Sequence, residues 1–231
     1  MLYYTVDWLY ILLVLPAFIL CLAAQAKVNS TFSKYDRIPT RRGLTGHDAA
    51  RMMLDREGLR YIKIESVRGR LTDHYDPRNE TVYLSEAVYN SRSVAAVGVA
   101  CHEAGHALQH AEEYSPLKIR SAIVPVANFA SRWWILFFII GILIFPPIAY
   151  IGVLIFGVTT VFQLVTLPVE FNASKRALAS LRASGLVAED EVDSSRRVLS
   201  AAAMTYVAAL ALSLAQFIRL LAIFSNSNSR R

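Results

Sequence analysis

Three long apolar blocks constrain the fold of this chain more than any other feature of its sequence. Residues 8–26 and 133–169 carry no charged side chain, and residues 198–224 are interrupted by Gln216 and Arg219. A helix needs about 20 apolar residues to cross the hydrocarbon core of a bilayer. Because hydrophobic residues make up 55% of the chain, which exceeds the share in ordinary soluble domains, the sequence predicts an integral membrane protein.

The middle block is too long for one membrane span and slightly short for two comfortable ones. Pro146 and Pro147 lie near its centre, and paired prolines favour a turn between helices. We therefore expect residues 133–169 to form a hairpin of two short spans. Together with the first and last blocks, this hairpin gives about four spans.

The remaining sequence is polar. The predicted layout is an α+β domain fused to an α-helical membrane part. Its segments are a membrane anchor (1–26), the α+β domain (27–132), the membrane hairpin (133–169), a helix (170–197), a membrane helix (198–224) and a tail (225–231).

Basic residues flank the polar domain on both sides. They are Lys27, Lys34, Arg37, Arg41 and Arg42 after the first block and Lys118, Arg120 and Arg132 before the second, whereas the seven residues before the first block have none. Cytoplasmic loops carry such an excess of positive charge, so we expect the domain to face the cytoplasm. The net charge of +6 is explained by this topology, and no nucleic-acid partner is expected.

The pattern H-E-x-x-H occurs at residues 102–106. On a helix, His102 and His106 lie one turn apart on the same face, so both imidazoles can reach one metal ion. Glu103 then lies beside the metal without binding it, where it can accept a proton from the attacking water and pass it to a leaving amine. The pattern predicts a catalytic site with about one zinc ion per chain, three protein ligands and an open position for water.

Local patterns around this motif predict a small mixed domain. They indicate a helix over 45–57, strands over 59–67, 71–75 and 80–85, and the motif helix over 93–113. We expect the first two strands to pair across the turn at 68–70. A helix, three strands and a helix with H-E-x-x-H follow the order of a zincin catalytic half, in which an edge strand can hold an extended peptide.

Two carboxylates are candidates for the third zinc ligand. Glu112 lies six residues after His106, where an H-E-x-x-H-x-x-G-x-x-H site takes its third ligand. However, Gln109 replaces the glycine at which that helix would turn back, and an unbroken helix carries Glu112 away from the metal. Glu170 follows the hairpin, and Pro168 suits the start of a helix. The sequence therefore favours Glu170 over Glu112.

Several longer motifs extend the comparison beyond H-E-x-x-H. The chain resembles the YugP-type neutral zinc metallopeptidases of bacterial membranes over nearly its whole length. The resemblance rests on LTDHYDPRN (71–79), YNSRSVAAVGVACHEAGHALQHAEEYSPLKIRSAIVPVANF (89–129), FQLVTLPVEFNASKRAL (162–178) and VLSAAAMTYVAAL (198–210). The layout is also similar to that of the HtpX-type membrane peptidases and the CAAX prenyl proteases, which place a membrane segment between the histidine motif and a glutamate ligand in E-x-x-x-D.

This resemblance implies roles for individual residues. It makes His102, His106 and Glu170 the zinc ligands and Glu103 the catalytic base. Where the wider pattern has aspartate this chain has Ser174, so Asn172 is the alternative candidate for any role of that aspartate.

His74 is a candidate for a catalytic hydrogen-bond donor. It lies in the polar cluster Asp73-His74-Tyr75-Asp76, which the resemblance marks as a family motif. Zincins often place a histidine or tyrosine across the cleft from zinc, where negative charge develops in the tetrahedral intermediate. The alternative is that the cluster only forms a turn network.

Three functions are consistent with these residues. The favoured one is an integral-membrane zinc endopeptidase that acts on a protein or peptide substrate. A zinc hydrolase of a non-peptide bond, such as a lipid amide, is the second. The third is a membrane scaffold with structural zinc, which is disfavoured because a structural site fills all four metal positions with protein ligands and none is offered here.

Overall fold

The computed structural model describes residues 7–69, 71–185 and 187–228, and this part of the chain is mostly helical. The first six residues of the predicted anchor, Arg70 in the predicted turn, Leu186, and residues 229–231 of the predicted tail lie outside it. The helices are α1 (Leu15–Tyr35), α2 (Gly46–Arg56), α3 (Glu86–Tyr89), α4 (Val94–Ala111), α5 (Ser115–Leu143), α6 (Pro146–Ser184) and α7 (Glu189–Asn228), and the strands are β1 (Lys63–Val67), β2 (His74–Asp76) and β3 (Thr81–Ser85).

Four helical segments in the described part of the chain are long and apolar enough to cross a membrane. They span Tyr10–Tyr35, Ser115–Leu143, Pro147–Ser184 and Glu189–Ile223. Their number agrees with the four spans predicted from the apolar blocks. The two middle helices meet at a short turn before Pro146, and both extend beyond residues 133–169, because α5 has 29 residues and α6 has 39.

The helix that carries Glu170 differs from the prediction at both of its ends. Pro168 does not start a helix but lies inside α6, where the hydrogen bonds of the neighbouring turns continue the helix past it. The predicted single helix over 170–197 is interrupted, since α6 ends at Ser184 and α7 begins at Glu189. Gly185 has φ +57°, a left-handed conformation that ends a helix at little cost when the residue is glycine.

The chain separates into two compact units. One comprises residues 1–24, 119–167 and 205–231, and the other comprises residues 25–118 and 168–204. We call the first the membrane unit and the second the polar unit. In the membrane unit Val153, Phe156 and Leu220 form a small buried cluster.

The polar unit holds a three-stranded sheet with β3 in the centre. β1 pairs with β3 in parallel, and β2 pairs with β3 antiparallel, so the strand order is β1-β3-β2. The prediction that the first two strands pair with each other is therefore wrong. The physical reason is burial: four of the five β3 residues are buried, so β3 takes the central position, whereas β1 is largely exposed.

Local capping signals set the starts of the two helices that pack in this unit. Thr45 caps α2 through a reciprocal pair of hydrogen bonds with Asp48, and Ser93 caps α4 by accepting a hydrogen bond from the amide of Ala96. Both starts agree with the prediction. α4 is buried along most of its length, with side chains such as Val97 and Ala104 fully covered in the core.

Candidate active site

Three side chains of the H-E-x-x-H and Glu170 segments converge within the polar unit. One ligand atom from each of His102, His106 and Glu170 can be chosen so that all three lie within 4.8 Å of one another. The Nε2 atoms of His102 and His106 lie 3.3 and 3.6 Å from the same Glu170 carboxylate oxygen. Glu170 follows His102 by 68 residues and His106 by 64, so α4 and α6 must be packed together to form the cluster.

Gly105 permits the close approach of these two helices. A Cβ atom at this position would lie 2.7 Å from the backbone oxygen of Ala173 on α6, which is closer than real side chains allow. The glycine inside the HEAGH motif thus lets the α6 backbone come near enough for Glu170 to reach both histidines.

The second nitrogen of each histidine is also engaged. His102 Nδ1 lies 3.1 Å from the hydroxyl of Ser174, and His106 Nδ1 lies 3.0 Å from the amide oxygen of Gln109. Asn172, the alternative candidate at this position, has a side-chain oxygen that accepts hydrogen bonds from Gln109 and Arg176. Ser174 makes the contact at the aspartate position.

The donor set fits a zinc ion. Zinc takes imidazole nitrogen and carboxylate oxygen ligands at about 2.0–2.2 Å, and two such ligands of a tetrahedral ion lie about 3.3–3.6 Å apart. The two nitrogen-to-oxygen distances, 3.3 and 3.6 Å, fall in this range. The contacts of Ser174 and Gln109 with the Nδ1 atoms fix the orientation of the two imidazole rings, as the partners of metal-binding histidines commonly do.

Glu103 lies next to this cluster without belonging to it. Its exposure is 8%. Burial raises the pKa of the Glu103 carboxyl above the ordinary value, although the nearby imidazoles of His102 and His106 act to lower this pKa. A carboxylate whose pKa is raised holds a transferred proton more strongly, which suits a general base working near neutral pH.

Glu112, the alternative third ligand, lies elsewhere. It is the residue after the last turn of α4, where it forms two hydrogen bonds of 2.6 and 2.7 Å with the guanidinium of Arg176. This hydrogen bonding lowers the pKa of the Glu112 carboxyl. Glu112 is therefore engaged in a surface ion pair and is absent from the cluster that contains Glu170.

His74 is exposed and makes its described contacts within and beside the sheet. Its Nδ1 lies 2.8 Å from the backbone oxygen of Thr72, and its ring stacks on Tyr83 of β3 with centroids 4.9 Å apart. Its neighbour Tyr75 reaches α4, where its hydroxyl lies 2.9 Å from Nδ1 of His110. Asp73 accepts hydrogen bonds from the amide and hydroxyl of Ser85 at the end of β3, and β2 lies beside the motif helix.

Comparison with known proteins identifies the family. Residues 10–225 match the family model described as "Putative neutral zinc metallopeptidase". The chain belongs to this family. It is 47% identical over 219 residues to the "Putative membrane protease YugP" of Bacillus subtilis (strain 168), an alignment that covers 94% of this chain and 97% of that protein. No solved structure matches the chain.

The family membership agrees with the resemblance inferred from the motifs, and its description implies zinc and peptidase activity. The roles of Ser174 and Gln109 as histidine partners were not predicted from the sequence. The contact of Gln109 could have been predicted, since Gln109 lies three residues after His106 and therefore on the same helix face. For Ser174, the only indication in the sequence was its position four residues after Glu170, where the wider pattern E-x-x-x-D has aspartate.

Proposed function

We propose that this protein is an integral-membrane zinc endopeptidase of the gluzincin type, with His102, His106 and Glu170 as zinc ligands and Glu103 as general base. The observation that supports this most directly is the convergence of two histidines and one carboxylate, with a second buried carboxylate beside them and outside the set. Two histidines and a glutamate form a well-attested catalytic zinc site.

The residues divide the chemical work between binding and proton transfer. When bound, a zinc ion polarises the peptide carbonyl and lowers the pKa of a water molecule. His102, His106 and Glu170 would hold the ion, and Ser174 and Gln109 would orient the two imidazoles. Glu103 accepts the proton of the attacking water and then donates it to the leaving amine.

The sheet supports a peptide as the substrate. β2 is an edge strand, it runs antiparallel to β3, and it packs beside the motif helix α4. An edge strand has unpaired backbone groups that can bind an extended peptide by main-chain hydrogen bonds. We propose that the polar unit is zincin-like and that β2 forms one wall of its substrate cleft.

The function can be tested on the purified full-length protein in detergent. We expect about one zinc ion per chain and hydrolysis of an unfolded protein such as casein, lost on chelation and restored by zinc. Measurement requires metal analysis and mass spectrometry of the peptides. Cleavage of lipid amides without cleavage of peptides would contradict the proposal, and so would zinc binding without any hydrolysis.

His74 is expected to affect turnover more than substrate binding. If its imidazole donates a hydrogen bond to the charge that develops in the transition state, His74→Ala lowers kcat by about 10²-fold or more and changes KM little. Steady-state kinetics of the variant would measure both constants. An unchanged kcat in a folded variant would leave His74 only its contacts with Thr72 and Tyr83.

We also propose that the polar unit faces the cytoplasm of the bacterial inner membrane and that both chain ends face outward. A cysteine in place of exposed Glu57 should then resist a membrane-impermeant maleimide in intact cells, whereas one in place of Ser229, outside the described residues, should react. The background variant needs only Cys21→Ser, because Cys101 is fully buried. Labelling of the cysteine at 57 from outside would contradict this topology.

A further inference from the structure

Gln109 is a fully buried polar side chain that joins the motif helix to the helix of the third ligand. Its amide oxygen faces His106 Nδ1 at 3.0 Å, and its amide nitrogen donates to the backbone oxygen of Val169 at 2.8 Å and to Asn172 Oδ1 at 2.9 Å. Val169 directly precedes Glu170. A single side chain of α4 thus contacts one proposed ligand and the backbone next to another.

The orientation of this amide is fixed by its partners. The Val169 carbonyl can only accept a hydrogen bond, so the NH₂ group of Gln109 must face it. Asn172 Oδ1 is likewise an acceptor here, because the Nε of Arg176 donates to it at 2.7 Å. The Gln109 oxygen is therefore the atom that faces His106, and since it can only accept, His106 Nδ1 must be the donor.

This arrangement determines which nitrogen of His106 can bind a metal. With the proton on Nδ1, the lone pair of a neutral imidazole is on Nε2, the atom that points toward Glu170. Ser174 exerts no equivalent selection on His102, because a hydroxyl can either donate or accept.

We infer that Gln109 is a positioning residue that selects the metal-binding form of His106 and holds it in register with the backbone beside Glu170. This inference rests on the proposed metal-binding role of His106 and Glu170. It assigns Gln109 a function in metal binding and in none of the proton transfers of the reaction.

Two substitutions separate the contact with His106 from the contact with Val169. Gln109→Met and Gln109→Glu both remove the N–H donor to the Val169 carbonyl, but only glutamate keeps an oxygen that can accept from His106. The full-length proteins in detergent would be loaded with zinc, with affinity measured by chelator competition, and separately with Co²⁺, whose visible spectrum reports ligand geometry.

We expect Gln109→Met to bind zinc about 10–100-fold more weakly than the wild type and to show an altered Co²⁺ spectrum. Gln109→Glu should retain the wild-type spectrum and bind zinc at least about 10-fold more tightly than the methionine variant. The melting temperature of each metal-free protein measures the contribution of Gln109 to packing. If the methionine variant does not fold, a wild-type Co²⁺ spectrum in Gln109→Glu still supports the inference.

Three results would overturn it: unchanged zinc affinity in Gln109→Met, weaker binding there with an unaltered Co²⁺ spectrum, or an altered spectrum in Gln109→Glu. The second result would mean that Gln109 acts through packing alone. A wild-type protein that binds no zinc would instead contradict the proposed function, so the two failures are distinguishable.

Discussion

Replacing Glu103 with glutamine is expected to reduce peptide hydrolysis by about 10²–10⁴-fold or more, because general-base catalysis contributes a factor of this size. Glutamine has nearly the same shape as glutamate but cannot accept the proton of the attacking water. Zinc content should stay at the wild-type level, because the cluster of ligand atoms comprises His102, His106 and Glu170 without Glu103. Burial favours the result further, since the neutral amide is easier to bury than a carboxylate.

The measurement pairs hydrolysis rates with metal analysis of the same preparation. Glu112→Gln is a matched control, because it makes the same chemical change near the end of the same helix, at a carboxylate bound to Arg176. The control should retain zinc and activity. Loss of zinc in Glu103→Gln would mean that Glu103 is a ligand, and retained activity would remove it from the mechanism.

Replacing Glu170 with alanine is expected to weaken zinc binding by more than about 100-fold, since loss of a group that only supports a ligand already costs about 10–100-fold. Glu170 is 3% exposed, and one of its oxygens faces both histidines. Without this carboxylate two neutral imidazoles remain, which provide fewer bonds and no negative charge to offset that of the ion.

Glu112→Ala provides the comparison for this second prediction. It removes an ion pair in which the Glu112 side chain is 55% exposed, and such surface pairs contribute little to stability, so zinc affinity should not change. Chelator competition would measure the affinity of both variants, with melting temperatures as a check on folding. If zinc affinity depended on Glu112 and not on Glu170, the third ligand would be misassigned.

Local features of the sequence determine much of the fold and of the candidate site. The spacing of His102 and His106 places both on one helix face, and Ser93 marks where that helix starts, because both depend on residues within one turn. The number of helices that could cross a membrane follows from the lengths of the apolar blocks, since lipid leaves backbone groups no partners outside a helix. The choice of Glu170 over Glu112 also came from the sequence, because Gln109 gives the motif helix no place to turn back.

Contacts between distant segments were decided only by the tertiary structure. The sheet order β1-β3-β2 depends on burial of β3 by the helices around it, which strand patterns do not encode. Pro168 also lies inside α6, although a proline is more often found in the first turn of a helix. The contact of Ser174 with His102 and the hydrogen bond of Gln109 to Val169 form only when α4 approaches α6 at Gly105, since hydrogen bonds across 72 and 60 residues exist only once the packed backbones bring the two helices together.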